Sequence, residues 1–119
     1  MAIAITTPSP GKFGWIINAT SGDASGCEEL KAAPAAGLSI IVDHLTLNTT
    51  DALTLTIGQG ESGPGSVTTA LLGPIAMPAN STLKWDFYPA GLVLTAATSL
   101  TVDASGAGNI MVFAMGRIQ

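Results

Sequence analysis

The residues with chemistry to offer are few and scattered. His44 is the only histidine and directly follows Asp43, an arrangement that invites an imidazole–carboxylate general base. The two lie in an alternating apolar run, and neighbours on a strand point to opposite faces. They are not expected to meet, no nucleophile motif accompanies them, and His44 reads as a strand histidine with a satisfied ring. Glu28 and Glu29 invite a glycoside-cleaving carboxylate pair. Adjacent strand residues diverge in the same way, so a solvated or interfacial acidic pair is the better reading. Asp23, Asp51, Glu61, Asp86 and Asp103 are dispersed, without the spacing of a calcium loop. The stretch 58–66, GQGESGPGS, lacks the lysine and following helix of a phosphate cradle. The Asn-X-Ser/Thr triplets beginning at Asn18, Asn48 and Asn80 are what a Ser- and Thr-rich chain generates in its turns. Trp15, Trp85 and Tyr88 are the only candidates for a sugar-stacking platform. Alternation puts Trp85 with Leu83 and Phe87 on a core-facing side, so packing is favoured. No catalytic residue, metal or cofactor is expected, and the chain does not read as an enzyme.

Composition narrows the classes further. A chain of 119 residues makes one domain with a single core. Its hydrophobic content is 47%, but only 10% of its residues are charged, against about 25% in ordinary globular domains. Gly, Ala, Ser and Thr take the place of the missing charge. A small domain has much surface, and a surface poor in Lys and Glu is suited to burial against neighbours. The net charge is −4 and the only basic residues are Lys12, Lys31, Lys84 and Arg117. They form no stripe to neutralise phosphates, so nucleic acid is not an expected partner. Cys27 stands alone, which excludes an intrachain disulfide or a cysteine-based metal site and fits folding in a reducing cytoplasm. The opening residues lack a basic start followed by an apolar run, and no apolar run is long enough to cross a bilayer. Neither a signal peptide nor a membrane association is expected.

The elements centre on residues 38–57, LSIIVDHLTLNTTDALTLTI. Leu53, Leu55 and Ile57 alternate with Thr54 and Thr56, giving one apolar face. In the first run Ile41, Leu45 and Leu47 share a face with Asp43, and Ile40 and Val42 share the other with His44. Both runs are read as one antiparallel hairpin joined by Asn48-Thr49-Thr50-Asp51. Residues 1–11 read as an extended N-terminal arm, because Pro8 and Pro10 remove donors and favour extended backbone. Residues 12–119 form the β domain. Strands are expected over 13–19, 27–33, 67–77 (bent at Gly73-Pro74, which suits an edge or bulge), 83–88, 100–103 and 109–118, with a brief extended piece at 92–94 and a loop at 58–66. In the last strand Ile110, Val112 and Ala114 hold one face and Met111, Phe113 and Met115 the other. A strand apolar on both sides is pressed on a partner or a covering loop. About eight short strands and no credible helix give an all-β, two-sheet antiparallel β-sandwich. Jelly-roll topology is preferred over an immunoglobulin-like one.

From about Gly26 the order of signals carries a resemblance. It runs through Glu29-Leu30, Ala-Ala-Pro-Ala-Ala-Gly at 32–37, the long strand Ile40 to Leu47 and Leu53-Thr54-Leu55-Thr56-Ile57. After the glycine loop come Leu72-Gly73-Pro74-Ile75-Ala76-Met77, Phe87-Tyr88-Pro89-Ala90-Gly91, Thr95-Ala96-Ala97, Ser99-Leu100-Thr101-Val102 and an apolar final strand. This resembles the small jelly-roll proteins of tailed bacteriophages that decorate or cement the capsid, and related head or tail appendages. The resemblance covers about three-quarters of the chain and rests on spacing and small motifs. It implies a homotrimer on the outside of the virion, made in the host bacterial cytoplasm, with the major capsid protein as partner. On that reading Ile3, Ile5, Pro8, Pro10 and Phe13 contact the shell, and Met111, Phe113 and Met115 contact other subunits. The alternatives are an appendage knob that binds a receptor or glycan, and a monomeric carbohydrate-binding module.

Overall fold

The computed structural model describes residues 3–6, 14–21, 26–61 and 67–119. Among them there is no helix, and the strands form two antiparallel sheets packed face to face. The ten strands are β1 (Ala4–Thr6), β2 (Gly14–Ser21), β3 (Gly26–Lys31), β4 (Ile40–Thr49), β5 (Leu53–Glu61), β6 (Val67–Met77), β7 (Ser81–Asp86), β8 (Leu92–Val93), β9 (Leu100–Ala104) and β10 (Ile110–Ile118). The first sheet runs β1-β2-β10-β4-β7, with β8 also on β4; the second runs β3-β9-β5-β6. The two strands beyond the expected eight are the shortest, β1 and β8. β1 lies inside the segment expected as an arm. It pairs with β2 at the edge of its own chain's sheet, opposite Asn18 to Thr20.

Alternation explains the core. Trp15, Ile17 and Ala19 of β2, Leu45 and Leu47 of β4, Leu53, Leu55 and Ile57 of β5, Leu100 and Val102 of β9, and Ile110, Val112 and Ala114 of β10 are all buried in one cluster. Each strand gives every second side chain to the space between the sheets. The buried hydroxyls are paired: Thr49 Oγ1 donates to the Pro78 carbonyl at 3.3 Å and Thr101 Oγ1 to that of Gly60 at 3.0 Å. No fully buried side-chain nitrogen or oxygen among the described residues lacks a partner.

Three expectations are corrected. β4 and β5 are not a hairpin: β4 pairs with β10, β7 and β8, whereas β5 pairs with β6 and β9. The turn between them crosses from one sheet to the other, held by Asp51, whose Oδ2 accepts the Asn109 amide at 2.9 Å. Two alternating runs facing each other across a core have the same pattern as two runs side by side. The faces of β4 also change partway. Met115 lies opposite His44 but Gly116 lies opposite Val42, so Asp43 is an extra residue, a β-bulge. Ile40 and Val42 therefore join Leu45 and Leu47 in the core. Lastly, the glycine stretch begins inside a strand, since β5 extends through Gly58 to Glu61. A Cβ on Gly58 would meet the Thr69 carbonyl oxygen and Val67 Cβ at 2.7 Å, so glycine lets β6 approach. Pro74 falls in β6, an edge strand as its proline requires.

Gly116 closes the bulge from the β10 side, where a Cβ would overlap the Ile41 carbonyl oxygen. Gly116→Ala is expected to destabilise the fold by at least about 2 kcal/mol, read as a lower denaturation midpoint in guanidinium chloride.

Candidate functional site

The face of the first sheet turned away from the core has an apolar line down its middle. Met111, Phe113 and Met115 of β10 are half-buried there. Met111 has Thr20 and Asn48 as its cross-strand neighbours, Phe113 has Asn18 and Thr46, and Met115 has Ile16 and His44. The next row on β7 adds Thr82, Lys84 and Asp86. Pairing thus gathers four apolar side chains into one patch bordered by Thr and Asn, with little charge. The sequence-derived contact residues 111, 113 and 115 lie together on this patch. Those of the N-terminal segment do not join it: Ile3 packs against the core cluster and Ile5 lies at the sheet edge opposite Ala19. Pro8, Pro10 and Phe13 lie outside the described residues.

At one end of this face is a polar cluster. The bulge removes Asp43 from the side of His44, and register places Asp86 beside it instead. His44 Nδ1 and Asp86 Oδ1 are 3.2 Å apart, and the same oxygen accepts the Tyr88 amide at 3.1 Å. The Tyr88 ring stacks on the imidazole with centroids 6.4 Å apart and 14° between planes. A pairing partner on another strand was invisible to local spacing; the signal available was the alternation that put Asp86 and Tyr88 on the polar side of their strand.

Asp43 has a different role. It is buried, and its carboxylate takes two bonds from Arg117, with Oδ2 3.2 Å from Nε and Oδ1 3.2 Å from Nη2. Arg117 Nη2 also donates to the Pro89 carbonyl at 2.6 Å, and the Asp43 carbonyl accepts the Phe87 amide at 2.7 Å. The turn that carries Tyr88 is thereby fastened to β4 and β10.

No protein-family model, curated protein or solved structure matches the chain. The site must therefore be read from its own chemistry.

Trp15 is buried, its Nε1 bonded to the Arg117 carbonyl at 3.1 Å with Lys31 Nζ 5.6 Å from the ring centre. Trp85 is half-buried against the core, as alternation indicated. Tyr88 alone of these aromatics is open, at 64% exposure. Among the described residues no group of three or more His, Cys, Asp or Glu side chains is placed to hold a metal ion. On the second sheet's outer face Asp103 lies between Cys27 and Thr56. Burial pushes its carboxyl above the usual carboxylate range.

Two measurements follow from these charges. Asp43→Ala leaves Arg117 half-enclosed without its partner and should cost about 2–3 kcal/mol in urea unfolding. Asp103 has a raised folded-state pKa, so its contribution to stability is present below the unfolded pKa and is lost as pH rises through the folded one. Asp103→Asn should therefore raise Tm near neutral pH, with the difference between variant and parent vanishing at acid pH where both carry no charge there.

Proposed function

We propose that this chain is a non-enzymatic structural protein of a bacteriophage virion, a capsid decoration protein that binds the assembled shell as a homotrimer. The observation that carries the reading is the outer face of the first sheet. Met111, Phe113, Met115 and Ile16 form an apolar centre on it, bordered by Thr, Asn and His44, with Lys84 and Asp86 in the far row and Arg117 neutralised by Asp43 at one end. Association surfaces have this anatomy: an apolar core rich in Met and aromatic residues, depleted of charge and rimmed by neutral polar groups. The second support is strand order. Setting aside β1 and β8 leaves eight strands, ordered first-eighth-third-sixth in one sheet and second-seventh-fourth-fifth in the other. Folding a long antiparallel ribbon over on itself into a jelly roll would give this order, which supports the topology expected from the resemblance to the phage proteins.

The mechanism is mass action. A trimer that binds only the assembled shell stabilises it by its binding free energy, and three linked contacts add avidity. The major capsid protein is the partner, and the N-terminal segment from Ile3 to Phe13 supplies shell contacts.

Light scattering with mass calibration should give a trimer at micromolar concentration, and Phe113→Asp should reduce it to a folded monomer. A parent protein that is strictly monomeric sinks the proposal. Removing residues 1–11 should abolish capsid binding while the trimer persists; undiminished capsid occupancy would refute the role given to that segment.

A further inference from the structure

We propose that Tyr88, His44 and Asp86 form a binding site for a neutral saccharide, a pyranose that stacks on the tyrosine and donates hydroxyls to the histidine and aspartate. The proposal stands apart from the virion reading and does not depend on it.

The site begins with an exposed aromatic that is held still. Tyr88 is 64% exposed, yet it is fixed at three points. Its ring is stacked on His44, its amide is bonded to Asp86 Oδ1 at 3.1 Å, and the carbonyl of the next residue, Pro89, is held by Arg117. Arg117 is itself locked by buried Asp43. An aromatic fixed before binding loses little entropy when a ligand covers it. The C–H face of a sugar ring is the apolar surface that such a platform takes, while the hydroxyls around the ring need polar partners.

Those partners are present at the edge of the tyrosine. Asp86 Oδ1 already accepts the Tyr88 amide and faces His44 Nδ1, so in the neutral ring the proton lies on Nδ1 and Nε2 is an acceptor. No described residue uses Asp86 Oδ2 or His44 Nε2. Two unused acceptors beside one aromatic ring call for donors, which the hydroxyls around a sugar ring supply. Charge decides against the other ligands. Asp86 repels an anion, and its own charge is shared between two N–H partners. Lys84, on the same face of β7 two residues earlier, disfavours a cation. Asp86 lies on β7, two strands from β10, and only His44 flanks the apolar patch, beside Met115 at its end.

The test is an NMR titration of the labelled full-length chain with methyl β-D-glucopyranoside and methyl β-D-galactopyranoside. One stack and two exposed hydrogen bonds correspond to millimolar affinity, so the titration runs to about 100 mM. The expected result is saturable shifts of the Tyr88 ring, the His44 imidazole and the Asp86 amide, lost in Tyr88→Ala and weakened about tenfold in Asp86→Asn. Tyr88 is exposed, so the alanine variant should keep the parent's spectrum elsewhere. Absence of shifts at these three residues, or shifts that survive Tyr88→Ala, overturns the proposal. So does tighter binding of guanidinium than of either glycoside, which would make the cluster a docking point for a partner's arginine.

Discussion

The Asp43–Arg117 pair governs the half of the molecule that faces outward. β4 is the strand on which the first sheet turns, and its free edge is shared by two short strands. β7 covers residues 44–49 and β8 covers 41–42. Asp43 is the residue left between them, and inserting it as a bulge keeps apolar side chains in the core on both sides of the break. A buried carboxylate costs several kcal/mol unless it is paired and hydrogen-bonded. Arg117 meets that demand in fork geometry from β10, and its Nη2 also donates to the Pro89 carbonyl. One ion pair thus ties three segments: the bulge, the last strand and the turn at 87–91. Gly91 belongs to the same joint: its φ is +83, and a side chain there would run into Ile41.

The rest of the molecule is held with very little charge. Hydroxyl and amide side chains do what ion pairs do elsewhere. Asn48 Nδ2 bonds Thr82 Oγ1 at 2.7 Å across the β4–β7 pair. Gln59 and Thr95 exchange two bonds, at 2.7 and 2.8 Å, and so tie β5 to the segment leading into β9. Neutral bonds of this kind gain about 1 kcal/mol each and carry no long-range field. A surface built from them neither repels a second copy nor resists burial, which is why low charge and an unpaired apolar patch belong to one argument about association.

How much of this was legible in the chain depends on the range over which each feature is decided. The alternation of Leu53, Leu55 and Ile57, and the double face of the last strand, are properties of neighbouring residues and were read correctly. So was Pro74 at an edge, because a missing amide excludes a central position. The sheet to which β5 belongs was not legible, since the pattern fixes which face is apolar and is silent on which strand lies alongside. The bulge at Asp43 was missed for a related reason: strict period-two reading has no place for an extra residue, and only the register against Gly116 exposes it. Gly58 and Gly60 were read as loop because glycine clusters mark turns, yet here they admit the close passage of β6.

The same limit applied to the candidate site, with the opposite effect. Reading along the chain tests His44 only against its neighbour Asp43, and rejects that pair correctly, for the two do not interact. Reading across the sheet gives His44 a different carboxylate, Asp86, and a ring, Tyr88, brought in by the turn that follows β7. Asp43 and Asp86 therefore divide the work by burial. The enclosed one fixes the backbone through Arg117, whereas the exposed one keeps an oxygen for solvent or a ligand. Their positions are coupled, because the bulge that seats Asp43 against Arg117 is also what sets His44 opposite Asp86. A β4 without the bulge would shift that register by one and carry His44 to the other face, so the structural ion pair and the polar cluster arise from a single insertion in one strand.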